Sequence, residues 1–155
     1  NKSEVSVGYS TLYGDMCGGF SVVKDIYKSD LYKLSEWRNE NLPSFSAIKA
    51  KEVIPKNIIT KEPTAELKED QKDSDSLPPY DVLDKILYLL VEKESSINEI
   101  ISKGYEPSLV TKVQNLLYNS EYKRRQAAPG VKISERNFGY DRRYPITNAF
   151  RDKEK

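Results

Sequence analysis

Four residues of this chain have the type and local setting for chemistry on phosphates: Glu4, Lys28, Thr64 and Lys123. Glu4 falls near the start of a predicted helix, where a carboxylate suits either Mg2+ with phosphate oxygens or the positive end of the helix dipole. Lys28 follows a short apolar run and precedes a helix start, a setting that suits phosphate but also an ordinary surface lysine. Thr64 offers its hydroxyl to a phosphate or to a helix N-cap. Taken singly, each is better explained by its structural role.

Lys123 opens the basic run Lys123-Arg124-Arg125, near the end of a predicted helix. Such a run either clamps a phosphate or carboxylate, with the guanidinium fork as a bidentate donor, or complements the negative end of the helix. Cys17 beside two glycines is interpreted as a small packing residue, because the chain has no His to activate it. The absence of His also excludes His-based general bases, catalytic triads and His metal ligands within this sequence.

The composition limits the class of protein. The 155 residues correspond to about one domain, and the 37% hydrophobic and 32% charged fractions fit a surface-rich domain or a piece of a larger one. The net charge of +1 provides no bulk field for nucleic acid or a membrane surface, and no apolar run is long enough to span a bilayer. A single cysteine excludes an internal disulfide and suits a reducing compartment. We therefore expect a cytoplasmic protein with no nucleic-acid or membrane partner.

The spacing of apolar residues predicts the elements that hold the candidate residues. Val5, Tyr9 and Leu12 recur at helical spacing before Gly14, which predicts a first helix over residues 2–13. Further helices are predicted where cap signals precede apolar faces: after Ser29, after Pro79, after Ser96 with its capping-box Glu99, and near Pro107. The apolar run 20–23 is consistent with a short buried parallel strand, residues 54–64 are predicted to be extended, and 66–79 a loop. From residue 127 no regular period is present, but the aromatic residues there predict a tail packed on another surface.

The order of several motifs resembles the synthetase domain of glutamine-dependent NAD+ synthetases, and the likeness covers nearly the whole chain. The matching segments are Asn-Lys-Ser-Glu at 1–4, Val-Gly-Tyr-Ser-Thr-Leu-Tyr-Gly-Asp at 7–15, Lys-Asp-Ile-Tyr-Lys at 24–28, Lys-Glu-Pro-Thr-Ala-Glu-Leu at 61–67, Asp-Gln-Lys-Asp-Ser-Asp-Ser-Leu-Pro-Pro-Tyr at 70–80, Glu-Tyr-Lys-Arg-Arg-Gln-Ala-Ala-Pro-Gly-Val-Lys-Ile-Ser at 121–134, and Arg-Arg-Tyr-Pro-Ile-Thr-Asn at 142–148.

The resemblance implies an α/β sandwich of the adenine-nucleotide α-hydrolase type, an N-type ATP pyrophosphatase, of which this chain would hold a mostly helical part with one or two short parallel strands. It implies adenylation of deamido-NAD by ATP with Mg2+, followed by attack of ammonia derived from glutamine. Lys28 and Thr64 match the family's ATP contacts, and Glu4 matches its magnesium ligand. The resemblance implies deamido-NAD contacts at Glu4, Tyr9, Tyr122 and Lys123. It assigns no catalytic side chain within this chain.

Departures from the family pattern define what this chain is expected to be. The Ser-Gly-Gly-x-Asp-Ser loop that binds pyrophosphate is not in the sequence, nor is the glutaminase domain. We therefore expect residues 1–155 to be the C-terminal portion of a synthetase domain, inactive in isolation, with the glutaminase domain on the same polypeptide and a homo-oligomeric assembly. Leu12 and Gly19 replace a Lys and an Asp of ammonia-dependent relatives, which favours the glutamine-dependent branch. Two alternatives stay open: an assembly module that uses the aromatic tail, and another amidating pyrophosphatase resembling GMP synthetase.

Overall fold

The computed structural model describes residues 1–61, 63 and 76–153. Those residues form seven helices: α1 Lys2–Val7, α2 Lys28–Glu40, α3 Lys56–Thr60, α4 Tyr80–Val91, α5 Ile97–Ile101, α6 Pro107–Asn119 and α7 Glu121–Arg124. In the described ranges β pairing is limited to isolated parallel bridges, one between Ser21 and Gly130 and one between Phe138 and Arg142. The prediction of a mostly helical chain is therefore confirmed.

The core lies between α1, α4, α5 and α6. Helix α4 contributes a wide apolar face at the spacing that one side of a helix presents to a core: its buried hydrophobic residues are Leu83, Ile86, Leu87, Leu90 and Val91. Helix α6 contributes Val110, Val113 and Leu117 to the same core, and α5 contributes Ile97 and Ile100; all five side chains are fully buried. Burying a side chain of this size stabilises the fold by about 1.5–3 kcal/mol. The short helix α1 packs against this core through Val7.

The local signals for the later helices are confirmed. Helix α4 begins directly after Pro79. The capping box at α5 is formed, since the Ser96 side chain accepts from the Glu99 backbone N–H and the Glu99 carboxylate accepts from the Ser96 backbone N–H. Helix α6 begins at Pro107, and the Glu106 carboxylate accepts from the two N–H groups that follow Pro107, at 3.0 and 2.7 Å.

The predicted extent of the first helix is wrong. Helix α1 ends at Val7, because Gly8 adopts a left-handed conformation with φ 76° and its N–H bonds back to the Glu4 carbonyl. A Cβ at position 8 would lie 2.4 Å from Ser120 Oγ, so the chain turns where it meets α6 and α7. Helix α2 also starts two residues earlier than predicted, at Lys28 instead of after Ser29, and its N-cap residue Tyr27 makes no side-chain cap bond.

Two extended segments of the prediction also differ. Residues 54–64 contain the helical turn α3 instead of extended chain, since its bonds form locally after Pro55. Phe20 and Val22 are exposed, and only Ser21 pairs, with Gly130; no adjacent strand in the described part of the chain covers this run as a buried strand requires. Of the predicted loop 66–79, residues 76–79 are non-helical and the remainder lies outside the described residues.

The segment after α7 contains no helix over residues 125–153, as the lack of period predicted. Phe138 and Tyr144 are buried and join the core, so the tail packs on the helices. Tyr140 and Phe150 remain exposed, which the aromatic pattern alone did not distinguish. Among the described residues, the helices are all too short or too polar to cross a membrane.

Candidate functional site

A groove of about 450 Å³ lies between α1, α2 and the segment around α3. Its charged lining is Glu4, Lys28 and Lys61, and its apolar lining includes Leu31 of α2 and Ile58 of α3. The volume falls within the range typical of small-molecule sites. A mixed lining of this kind suits a ligand that has both an anionic part and an apolar part.

Two of the residues singled out from the sequence meet in this groove. Lys28 Nζ lies 2.6 Å from Glu4 Oε1, and both side chains are partly buried. Burial opposes ionisation of the Glu4 carboxyl, whereas the Lys28 ammonium group, which donates a hydrogen bond to it, lowers the pKa of Glu4. Glu4 is therefore a carboxylate at neutral pH, balanced by one lysine.

Glu4 fits the carboxylate side of a magnesium site. Mg2+ is usually held by one or two protein carboxylates together with substrate phosphates, not by an all-protein cage. Within the described ranges, His, Cys, Asp and Glu side chains do not gather in groups of three or more suited to a metal ion. A single ionised carboxylate opening on a groove matches that pattern, with substrate oxygens as the remaining ligands.

A second group of predicted residues surrounds the turn that follows α1. Lys123 of α7 reaches back to this turn and donates to the carbonyls of Gly8 and Ser10, at 2.6 and 3.0 Å. Tyr9 lies between those two residues in the chain, and its hydroxyl is 2.6 Å from Ser76 Oγ. Tyr122 precedes Lys123, and its side chain is 45% exposed. The structure thus brings Tyr9 and Lys123 to one turn, next to the helix that carries Glu4.

Thr64, the second ATP contact implied by the sequence, lies outside the described residues. Its neighbour Pro63 lines the groove that Glu4 and Lys28 share.

The basic run splits into three environments. Lys123 holds the turn after α1, whereas Arg124 is buried and pairs with Glu121 at 2.9 Å. Arg124 also donates to the carbonyls of Ser6 and Val5, at 2.8 and 3.2 Å. Its guanidinium therefore supplies donors to the C-terminal end of α1, and for Arg124 the structural role is the one of the two interpretations that the structure favours. Arg125 pairs with the second oxygen of Glu121, at 2.6 Å.

Lys2 forms a buried ionic cluster beneath α1 that the sequence did not reveal. Its ammonium group is fully buried, lies 3.0 Å from Asp25 and contacts Glu92. It also donates to Ser134 Oγ at 2.6 Å and to the Arg136 carbonyl at 2.8 Å. Burying one charge requires compensation by opposite charges and hydrogen bonds, and these partners supply it. A lysine in a first helical turn gives no local signal of this burial.

Comparisons with known proteins identify the family of this chain. The family model described as NAD synthase matches residues 1–127, so the chain belongs to the NAD synthase family. It is 49% identical over 153 residues to the glutamine-dependent NAD(+) synthetase of Rhodobacter capsulatus, covering 99% of this chain and 28% of the relative. It is 53% identical over 151 residues to that of Xylella fastidiosa strain 9a5c, covering 97% and 26%.

Solved structures support the same fold. The glutamine-dependent NAD+ synthetase of Acinetobacter baumannii, in complex with ADP, is 44% identical with a TM-score of 0.50, and the match covers 99% of this chain and 25% of that one. The corresponding enzyme of Cytophaga hutchinsonii is 22% identical with a TM-score of 0.70, covering 96% and 23%. The family resemblance and the adenine-nucleotide α-hydrolase fold class are therefore confirmed. The chain spans about a quarter of the length of these relatives.

Proposed function

We propose that residues 1–155 are the C-terminal portion of the synthetase domain of a glutamine-dependent NAD+ synthetase. The whole polypeptide would convert deamido-NAD, ATP and glutamine-derived ammonia into NAD, AMP and pyrophosphate. The observation that carries this proposal is the Glu4–Lys28 ion pair, 2.6 Å long, at a groove of ligand size. The family membership and the names of the relatives support the same reaction.

The reaction has two steps, and each requires a different group of residues. In the first, the nicotinate carboxylate of deamido-NAD attacks the α-phosphorus of ATP and pyrophosphate leaves. In the second, ammonia attacks the acyl carbon of the adenylate and AMP leaves. Positive charge near the phosphates and exclusion of water from the adenylate favour both steps.

Lys28 and Thr64 are the residues we assign to ATP, and Glu4 is the residue we assign to magnesium. Lys28 contributes a point charge at the start of α2, where its ammonium group faces the groove beside Glu4. Bound Mg2+ would supply the charge that offsets the phosphates. Glu4, a carboxylate paired with Lys28, needs no proton loss to hold it.

Glu4, Tyr9, Tyr122 and Lys123 are the residues we assign to deamido-NAD. Lys123 has three N–H donors, and the carbonyls of Gly8 and Ser10 accept from it. Those two bonds fix its ammonium group beside Tyr9, so that the remaining donor and the aromatic ring approach one substrate together. Tyr9 is held in turn by Ser76.

The assembly we propose follows from the same relatives. Because they are glutamine-dependent enzymes about four times the length of the match, a glutaminase domain on the same polypeptide is the source of ammonia. We further propose a homo-oligomer in the cytoplasm, with no nucleic-acid or membrane partner. Gel filtration with light scattering at two protein concentrations tests the oligomer.

The deciding experiment uses the whole polypeptide that contains these residues. NAD formation is measured with ATP, Mg2+, deamido-NAD and either glutamine or ammonium. Lys28→Ala is expected to raise KM for ATP by about tenfold or more, since a hydrogen bond to a charged group contributes about 1.5–3 kcal/mol. Lys123→Ala is expected to raise KM for deamido-NAD instead.

Lys33→Ala is the matched control, because Lys33 lies in the same helix, is 74% exposed and pairs only with the exposed Asp30 among the described contacts. It should leave both KM values unchanged. Amidation of a purine monophosphate in place of deamido-NAD would contradict the proposal, and activity with ammonium but none with glutamine would remove the glutamine-dependent part of it.

A further inference from the structure

Helix α2, which carries Lys28, begins without a cap of its own. The first N–H groups of a helix lack intrahelical acceptors and need partners from elsewhere. Tyr27, the N-cap residue, provides no side-chain bond. Two other helices provide the acceptors: Ser3 Oγ of α1 accepts from the Lys28 N–H at 2.9 Å, and Asp84 of α4 accepts from the Ser29 N–H at 2.9 Å.

Asp84 is the centre of this arrangement. Its residue is only 5% exposed, yet both carboxylate oxygens are used. One oxygen accepts from the Ser3 hydroxyl, and the other accepts from the backbone N–H and the hydroxyl of Ser29. A single carboxylate thus joins α1, α2 and α4 through the residues directly beside Glu4 and Lys28.

The chemistry of the position argues for more than packing. Burial raises the pKa of Asp84, with the hydrogen bonds from Ser29 and Ser3 acting in the opposite direction. Well-packed apolar side chains often replace buried polar groups without loss of stability, so a carboxylate here is not required merely to fill the core. What an apolar residue could not do is accept bonds from two helices at once, at the positive end of α2.

We propose that Asp84 is a positioning residue that sets the Lys28–Glu4 pair. It fixes the first turn of α2 against α1 through Ser29 and Ser3, and so determines where the Lys28 ammonium group enters the groove. The inference rests on the proposed role of Lys28 in ATP binding. It adds a residue of α4 that lies outside the groove's own lining and acts only through its neighbours.

The decisive variant is Asp84→Asn. The amide replaces one charged acceptor oxygen with a donor, so either Ser29 or Ser3 loses its carboxylate acceptor while the shape of the side chain is kept. In the whole polypeptide we expect KM for ATP to rise about tenfold, because small displacements of a positioning group have large effects on binding and rate. KM for deamido-NAD should rise less than KM for ATP, because Glu4 alone among its proposed contacts belongs to this pair.

A double-mutant cycle with Lys28→Ala separates positioning from general weakening. If Asp84 acts through Lys28, Asp84→Asn adds less than about twofold to KM for ATP in the Lys28→Ala background. An equal factor in both backgrounds, or no change in either, overturns the inference. Ser29→Ala, which removes only the hydroxyl bond, serves if the Asp84 variant does not fold; the same non-additivity is expected with a smaller rise.

Amide hydrogen exchange over residues 27–33 provides a reading that does not depend on activity. Asp84→Asn should speed exchange at the start of α2. The matched control is Asp81→Asn, the same change at an exposed carboxylate of the same helix, which should leave both this segment and KM for ATP unchanged. If exchange is faster in Asp84→Asn but the wild-type enzyme does not use ATP, the proposed function alone is contradicted. If exchange in Asp84→Asn equals that of the wild type, the positioning role of Asp84 is refuted.

Discussion

Gly8→Ala tests why α1 is short. Gly8 has φ 76°, and an added Cβ would lie 2.4 Å from Ser120 Oγ and 3.1 Å from Ser120 Cβ. The Ser120 hydroxyl is itself held by the Leu116 carbonyl at 2.6 Å, so it can avoid the new methyl group only by leaving that bond. The substitution therefore combines backbone strain with a steric clash at the junction of α6 and α7.

The expected cost has two parts. The left-handed conformation costs a residue with a Cβ about 1 kcal/mol. Overpacking at a close contact costs about 1–3 kcal/mol. The Gly8→Ala variant should therefore lose about 2–4 kcal/mol in the free energy of unfolding.

A substitution at Ser120 separates the cost of the steric clash from the cost of the backbone strain. Ser120→Ala removes the atom at 2.4 Å but neither the Cβ contact nor the positive φ. In the Gly8→Ala background it should recover about 1 kcal/mol, while in the wild-type background it should be neutral or slightly destabilising.

The assay is urea unfolding of the 155-residue chain, followed by circular dichroism at a fixed temperature for all four sequences. Two results would refute the reasoning. One is a Gly8→Ala midpoint equal to that of the wild type. The other is a Ser120→Ala cost that adds in full to the first, because the two residues would then not be in contact.

Three further predictions concern stability. Burial opposes ionisation of Asp25, but hydrogen bonds from Ser134 and neighbouring donors outweigh it, so the pKa of Asp25 is lowered. Its contribution to the free energy of unfolding is therefore present above pH 3.8 and is lost as the pH falls through the lower pKa of the folded state. Urea midpoints measured from about pH 6 to about pH 2 should fall less steeply for Asp25→Asn than for the wild type, and equal slopes would contradict this. Glu106→Ala should cost about 1 kcal/mol by removing the cap of α6, measured as a shift in urea midpoint, and no shift would show that the cap bonds add nothing in water. Leu87→Ala should lower the free energy of unfolding by about 2–5 kcal/mol, because Leu87 is fully buried. Tyr88→Ala, on the exposed face of the same helix, should lower it by less than about 1 kcal/mol in the same assay, and comparable losses for the two variants would contradict the position of the core.

The helices around the core were predictable because their signals are local. Pro79, the Ser96–Glu99 capping box and the Pro107 start act on their own segments, and the structure has each of them at the predicted place. Helix α1 was overextended because its end depends on Ser120, a residue 112 positions away that leaves no mark near Gly8.

The candidate site was predictable only from the order of motifs. Spacing alone gave Glu4 and Lys28 ordinary structural roles, because each lies at a helix start where such residues are common. The resemblance placed them in one site, and their ion pair shows that they do meet. Thr64 stays a prediction, and so do the substrate assignments of Tyr122 and Lys123.

The sequence by itself determined the family, the helical character of most segments and the absence of His side chains from these 155 residues, since these depend on residue identity and short-range order. Only the tertiary structure decided which charges face the groove and which are buried. Lys2 and Arg124 look like surface residues in the sequence, yet both lie in the interior beside carboxylates. The physical reason is that a charge can be buried wherever folding brings it an opposite charge and carbonyl acceptors, and those partners come from distant parts of the chain.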